Sequence, residues 1–206
     1  MASTIGVIFS SINEENIPEL TKVRSIGSVP YGGRYRLVDF ALSNMVNSGI
    51  TTVGMITKNN YQSLMDHLGS GKYWDLARKE GGLILLPPYI NDTETLYKNR
   101  LEALKGTVSF LKKAKEDFVV ITDSDAIYKL DYSKIIDFHI KKNADITLVY
   151  HEHEVEQSHY YMTFETNKDE RITGLSINPL TNGVKKNYIN VMVARTSFLI
   201  RLIQNA

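Results

Sequence analysis

Thr122-Asp123-Ser124-Asp125 sets two carboxylates two residues apart at the end of an apolar run, Phe118–Thr122 (FVVIT). Carboxylate oxygens at that spacing can face one side and hold Mg²⁺ against a diphosphate. Asp and Ser also cap turns and helices through local hydrogen bonds, so the run alone supports both readings equally. A second pair, His151-x-His153, puts two imidazoles on one face of an extended chain, an arrangement Zn²⁺ can use. Glu152, Glu154 and Glu156 alternate with them and His159 is only loosely placed to add a ligand, so the stretch reads as a solvated edge strand. His139 lies on an apolar helical stripe and reads as a boundary histidine, not a catalytic base. Trp74, beside Tyr73, could stack on a nucleobase but reads as a core or interface residue. Lys112, Lys113, Lys115, Lys141 and Lys142 read as solvated helix ends.

The elements that must position these groups alternate between β-rich runs and helical stretches, the pattern of βαβ units around a mostly parallel sheet. Thr4–Phe9, Thr51–Ile56, Phe118–Thr122 and Asp145–Tyr150 are the predicted core strands. A helix is expected from near Asp39 to Gly49. Leu101, Leu104, Val108 and Leu111 make an apolar stripe for another, with Gly106 inside it. Tyr132, Ile135, Ile136, His139 and Ile140 fall at i, i+3, i+4, i+7 and i+8 in Tyr132–Lys142, with Asp131 as its N-cap. After Tyr150 the texture turns polar, and strand-like Tyr160–Phe164 and Tyr188–Ala194 predict an appended, partly antiparallel region. Apolar Phe198–Ile203 closes the chain with no capping signal, so the whole of 1–206 is expected to be one domain truncated before its end. In such sheets ligands sit beyond the carboxyl ends of strands, which directs attention to the loops after Phe9, Ile56 and Thr122.

Composition narrows the function classes. The 206 residues are 43% hydrophobic and 23% charged, ordinary values for a folded domain. Lys plus Arg at 24 against Asp plus Glu at 23 leaves a formal charge of +1, so no global field gathers nucleic acid or an anionic membrane. Phosphate binding must come from local geometry. The absence of cysteine excludes disulfides, thiolate zinc sites and Cys nucleophiles, and fits a reducing compartment. No basic leader or long apolar run is present in the sequence, and a cytoplasmic location is expected.

One long segment points further. Ser28-Val29-Pro30-Tyr31-Gly32-Gly33-Arg34-Tyr35-Arg36-Leu37-Val38-Asp39-Phe40-Ala41-Leu42-Ser43-Asn44 resembles the PFGGKYRLIDFALSN segment of glucose-1-phosphate adenylyltransferases (ADP-glucose pyrophosphorylases), and Asn47-Ser48-Gly49-Ile50 continues it. Asp125-Ala126-Ile127-Tyr128-Lys129-Leu130-Asp131-Tyr132 is similar to that family's GDHIYKMDY, and His67-Leu68-Gly69-Ser70-Gly71 to its HL-plus-glycine turn. The resemblance implies a Rossmann-like nucleotidyltransferase domain, a left-handed parallel β-helix beyond it in the full-length protein, Asp125 as the Mg²⁺ ligand, and a contact region for effectors or subunits around Arg34 and Arg36.

Departures from the family pattern fall on the phosphate and sugar sites. Active members carry a GGxGTRL loop after the first strand, whose backbone N–H groups and Arg cradle the triphosphate. Counted back from RSIGSVPYGG, that loop is here Ser11-Ile12-Asn13-Glu14-Glu15-Asn16-Ile17, without its glycines or Arg and with two carboxylates that would repel phosphate. The Lys of RAKPAVPFGG is Ile26, GTADAV reads Asn91-Asp92-Thr93-Glu94-Thr95-Leu96, and the sugar-binding EKP appears as Ile177-Asn178-Pro179. These losses resemble the non-catalytic, regulatory subunit of bacterial glycogen synthesis. Such a subunit implies a catalytic partner subunit in a hetero-oligomer, with Arg34 and Arg36 turned to a phosphorylated effector or a neighbour and replaceable at little cost in stability. A competent adenylyltransferase using Mg²⁺ on Asp125 is the alternative, and a metal-dependent glycosyltransferase using Asp123-x-Asp125 a more distant one.

Overall fold

Unbroken apolar runs become the buried middle of a parallel sheet. The computed structural model describes residues 2–10, 14, 17–88, 97, 99–155, 162–179 and 183–206. Ser11, Ile12, Asn13, Glu15, Asn16, residues 91–96, Glu156, His159 and Tyr160 lie outside the described residues. The chain divides into two compact units, Met1–Ile146 with Val193–Ala206, and Thr147–Met192.

In the first unit the strands are β1 (Thr4–Phe9), β2 (Pro30–Tyr31), β3 (Tyr35–Arg36), β4 (Thr52–Ile56), β5 (Gly82–Leu86) and β6 (Phe118–Asp123). Their order is β5-β4-β1-β6, and the pairs β5–β4, β4–β1 and β1–β6 are all parallel. Ile5, Val7 and Ile8 are fully buried and every residue of β6 is buried, as expected for strands covered on both faces. Phe9 pairs with both Ile56 and Asp123, and Ile56 with Leu86, so the carboxyl ends of these strands are level. Leu37–Asn47 forms α2 after the short α1 (Pro18–Thr21), and α3 (Gln62–Leu68) follows β4.

Asp145–Tyr150 is a strand as expected, within Ile146–Val155, but the fourth strand of the parallel run is β5, which was not expected, and one expected helix is divided. The β5 run GLILL lies between Gly81 and Pro87-Pro88, which mark its two boundaries in the sequence. The stripe from Leu101 to Leu111 is two helices, α4 (Arg100–Lys105) and α5 (Val108–Lys113). Thr107 breaks it: its backbone N–H and its hydroxyl both donate to the Leu104 carbonyl, at 2.9 and 2.8 Å, and its own carbonyl starts α5 by accepting from Leu111.

α6 spans Tyr132–Lys142 as predicted, with the Asp131 carboxylate accepting from the Ser133 N–H at 3.1 Å. Its buried stripe is narrower than the periodicity suggests, because Ile140 is exposed. His139 is no boundary residue. It is fully buried, its ring edge-on to Phe118 at 5.6 Å. Burial, reinforced by Arg195 and opposed by Asp145, holds its imidazole below the ordinary pKa. A depressed folded value stabilises the fold above the unfolded pKa of about 6.5, and that stability is lost as pH falls through the folded value. Urea midpoints are therefore expected to drop more between pH 7 and pH 5 for the wild type than for His139→Leu. Equal drops would assign the acid sensitivity to another group.

The second unit carries β7 (Ile146–Val155), β8 (Met162–Thr166), β9 (Ile172–Ile177) and most of β10 (Gly183–Arg195). β8 pairs antiparallel with both β9 and β10, and β7 pairs with β10, which bears out the partly antiparallel region. Asn167 builds the β8–β9 turn, its Oδ1 accepting from the Asp169 and Arg171 N–H groups at 3.0 and 2.9 Å. In the first unit α7 (Thr196–Gln204) packs on α4 and α5, burying Leu199 and Ile203. No helix among the described residues is long and apolar enough to cross a membrane.

Candidate functional site

The level carboxyl ends of β1, β4 and β6 are tied together by short polar side chains. Ser10, fully buried, donates from both N and Oγ to the Ile56 carbonyl at 3.0 and 2.7 Å, and the Ser124 N–H donates to the Phe9 carbonyl at 3.0 Å. A 3₁₀ turn, Ile26–Ser28, sits on this end, with the Gly27 N–H donating to the Ser10 carbonyl at 3.1 Å. A Cβ on Gly27 would come within 2.7 Å of Ser124 Oγ, so the close approach requires glycine. Glu14 Oε1 accepts from the Ile26 N–H at 3.3 Å, and the Ile26 side chain is buried. Beside it the Tyr97 hydroxyl donates to the Thr57 carbonyl, and burial, with the Glu14 charge, pushes its pKa up.

Asp123 and Asp125 have different fates. Asp123, with 3% of its side chain exposed, takes a bidentate ion pair from Arg100. Nη1 donates to Oδ1 at 2.6 Å and Nη2 to Oδ2 at 2.5 Å. The guanidinium lies 5.2 Å from the Phe9 ring centroid, above the end of β1. Burial outweighs Arg100 and, with the charge of Asp125, raises the Asp123 pKa to about 6. The expected two-carboxylate metal site is thereby reduced, since both oxygens of Asp123 face a guanidinium. Asp125 is half-buried, and among the described residues no cluster of three carboxylates or imidazoles is placed to hold a metal. Were Mg²⁺ to bind here, Asp125 would hold it through one carboxylate, and waters and phosphate oxygens would have to complete its shell.

The loop after Asp125 is held by α2. Asn44 donates from Nδ2 to the Tyr128 carbonyl at 2.8 Å and accepts from the Leu130 N–H at 3.3 Å. One turn on, Ser48 Oγ accepts from the Tyr132 N–H at 2.8 Å. The Asn44-to-Ser48 stretch thus fixes both ends of 128–132, which gives the long segment a positioning role.

Arg34 and Arg36 part ways. Pro30–Arg36 is a two-stranded ribbon, its tip turned by Gly32 and Gly33 at φ +59° and +85°. Arg34 is exposed at the tip, its guanidinium 5.1 Å from the Tyr35 ring centroid, and Tyr31 and Tyr35 both lean on Phe40. Arg36 is instead a tie to α3: Nη1 donates to the Ser63 carbonyl and hydroxyl at 2.6 and 2.7 Å. Its N–H donates to Asp39, whose other oxygen meets His67 at 2.6 Å. The expectation that Arg36 can be removed at little cost in stability does not survive this geometry. Arg36→Ala is expected to lower stability by about 1–2 kcal/mol, from two lost hydrogen bonds. Thermal melts of Arg36→Ala and Arg34→Ala check it, with the second unchanged.

Asn178, exposed at φ +49° after β9, lies in the second unit. So do His151 and His153, whose Nδ1 atoms are 3.5 Å apart. Trp74 is half-buried against His67. A model of the nucleotidyl transferase family matches residues 16–193. The chain belongs to that family. Curated relatives include the glucose-1-phosphate adenylyltransferase of Clostridium novyi, 39% identical over 154 residues, which are 74% of this chain and 40% of that protein. The enzyme of the same name from Thermotoga maritima is 33% identical over 98% of this chain and 48% of its own length. The chain spans about half the length of the curated relatives it matches. A crystal structure from Bacillus anthracis, assigned as a glucose-1-phosphate thymidylyltransferase in complex with a sucrose, superposes with a TM-score of 0.76 at 14% identity. It covers 96% of this chain and 73% of that one, and shows the fold.

For a nucleotidyl transferase family chain the instructive residue is Arg100, which sequence reasoning missed. Its signal was available: an unpaired acid at Asp123, ending a fully apolar strand, needs a cation partner if buried. A cavity of about 840 Å³ runs along β5, from Ser3, Thr52 and Gly81 at the starts of the strands past Ile84 to Leu86, beside α5. Lys113 and Glu116 are among its lining, and among the described residues Glu14, Ile26, Asp123 and Asp125 are not.

Proposed function

We propose that this chain is the nucleotidyltransferase-type part of a glucose-1-phosphate adenylyltransferase subunit that regulates a catalytic partner and carries little of the reaction itself. In that reaction ATP and glucose 1-phosphate give ADP-glucose and pyrophosphate, and the setting is cytoplasmic glycogen synthesis in a hetero-oligomer. Family membership and the names of the relatives support the reaction class. The impaired half of the reading rests on one observation: where the resemblance places a phosphate-meeting Lys, Ile26 is buried and its backbone N–H is taken by the Glu14 carboxylate. A neutral side chain and an anion replace a cation where charge neutralisation matters most. Arg34, exposed on its aromatic base, is the donor this reading assigns to a phosphorylated effector or a neighbouring subunit.

The competent-enzyme reading draws on Asp125, which keeps a place for Mg²⁺. Pyrophosphate release from ATP and glucose 1-phosphate separates the two. The full-length protein alone is expected to turn over at least 100-fold more slowly than the assembly with its catalytic partner, and calorimetry with Mg²⁺-ATP to show no saturable heat. Turnover by the protein alone at the rate of the assembly would make it an enzyme in its own right.

A further inference from the structure

Phosphate groups in open α/β sheets collect beyond the carboxyl ends of central strands, and here that place is taken. β1 and β6 end side by side, Phe9 level with Asp123. Arg100 crosses both ends, its guanidinium 5.2 Å from the Phe9 ring centroid and two-pronged on the Asp123 carboxylate. A guanidinium fork grips a carboxylate with the same parallel N–H pair that it offers a phosphate, so the two anions compete for one set of donors. We infer that Arg100 and Asp123 form an internal latch, in which the carboxylate fills the seat of a polyphosphate oxygen and keeps Arg100 from binding one.

Charge and burial favour the closed arrangement. A phosphate that drew Arg100 away would leave Asp123, at 3% side-chain exposure, to stay charged without a partner or take up a proton, and would add its own negative charge beside Asp125. The free carboxylate has nowhere to solvate, whereas the guanidinium, 36% exposed, reaches water from the pair as it stands. The sequence alternates Asp123 with Asp125, so only one acid is spent on the latch and the other stays half-buried outside it. The inference rests on the reading of a lapsed phosphate site and gives that lapse a second cause beyond the altered first loop. It also makes that share of the loss reversible by one substitution: a neutral residue at Asp123 removes the acid that holds Arg100 at the ends of β1 and β6.

The test is a calorimetric titration of the full-length protein with inorganic pyrophosphate, Mg²⁺-ATP and adenosine. Asp123→Asn is expected to bind pyrophosphate and Mg²⁺-ATP at least ten-fold more tightly than the wild type, with adenosine unchanged. Arg100→Leu added to Asp123→Asn should abolish the gain. Should Asp123→Asn melt early, Asp123→Ser carries the same expectation. No gain in a folded Asp123 variant, or a gain that survives loss of Arg100, overturns the latch. Saturable Mg²⁺-ATP binding by the wild type would overturn the impaired-site reading by itself, and the latch would then stand only if Asp123→Asn still bound ten-fold tighter.

Discussion

Arg100→Leu is expected to lower stability by about 3 kcal/mol, the low end of what breaking a buried ion pair costs, because Arg100 itself reaches solvent. Its partner does not: Asp123 keeps 3% of its side chain exposed and ends a strand with no exposed residue. The loss should depend on pH. Burial already lifts the Asp123 pKa to about 6 against Arg100, and without Arg100 it goes higher. A folded value above the unfolded one, about 3.9, gives stability that is complete below the unfolded pKa and lost as pH rises through the folded one. The variant should therefore lose more relative to the wild type at pH 8 than at pH 5. Urea unfolding at both values reads this directly, and Arg100→Leu within Asp123→Asn should cost less than half as much. Additive losses would mean that the two side chains do not couple.

Asn44→Ala should be nearly as damaging, about 2–4 kcal/mol, because it strands a backbone carbonyl and a backbone N–H in a part-buried loop. Those groups are the Tyr128 C=O and the Leu130 N–H, and both are held by one side chain from α2. Asn44→Asp keeps an acceptor for Leu130 and turns it toward the Tyr128 carbonyl as a repulsive pair, so it should be no better. Thermal melts and amide exchange at Leu130 report the effect. Unchanged protection at Leu130 would show that Ser48, holding Tyr132, fixes the loop alone.

The parts legible in sequence are those where burial on both faces or a strong period leaves one arrangement. β1 appears with the predicted bounds, and α6 with its predicted N-cap, because an apolar run and an Asp before an amphipathic stretch are local signals. β5 was missed because GLILL is short and its glycine bracket mimics a loop. Gly106 looked like the weak point of one helix, whereas the break comes from Thr107, whose hydroxyl competes for a helical carbonyl. At the site, residue types were readable and pairings were not. Asp123 and Asp125 look alike on paper, and only the return of Arg100, 23 residues upstream, separates them. Arg34 and Arg36 look like twins around Tyr35. One is a free-standing donor on a ribbon tip and the other a brace between α2 and α3, a distinction set by Ser63, far away in sequence.

The first unit takes its final strand end and α7 from Val193–Ala206, although Thr147–Met192 belongs to the second. On the ribosome that order has a cost in time. The apolar faces of α4 and α5, with Leu104, Phe110 and Leu111, are synthesised well before Leu199 and Ile203, which α7 brings to cover them. At 5–20 residues per second, the stretch from Leu111 to Leu199 occupies the ribosome for roughly 4–18 s. For that interval the nascent first unit presents an uncovered apolar seam, which makes a chaperone that holds such seams a natural companion of its synthesis and makes slow codons in the intervening stretch a liability for its yield.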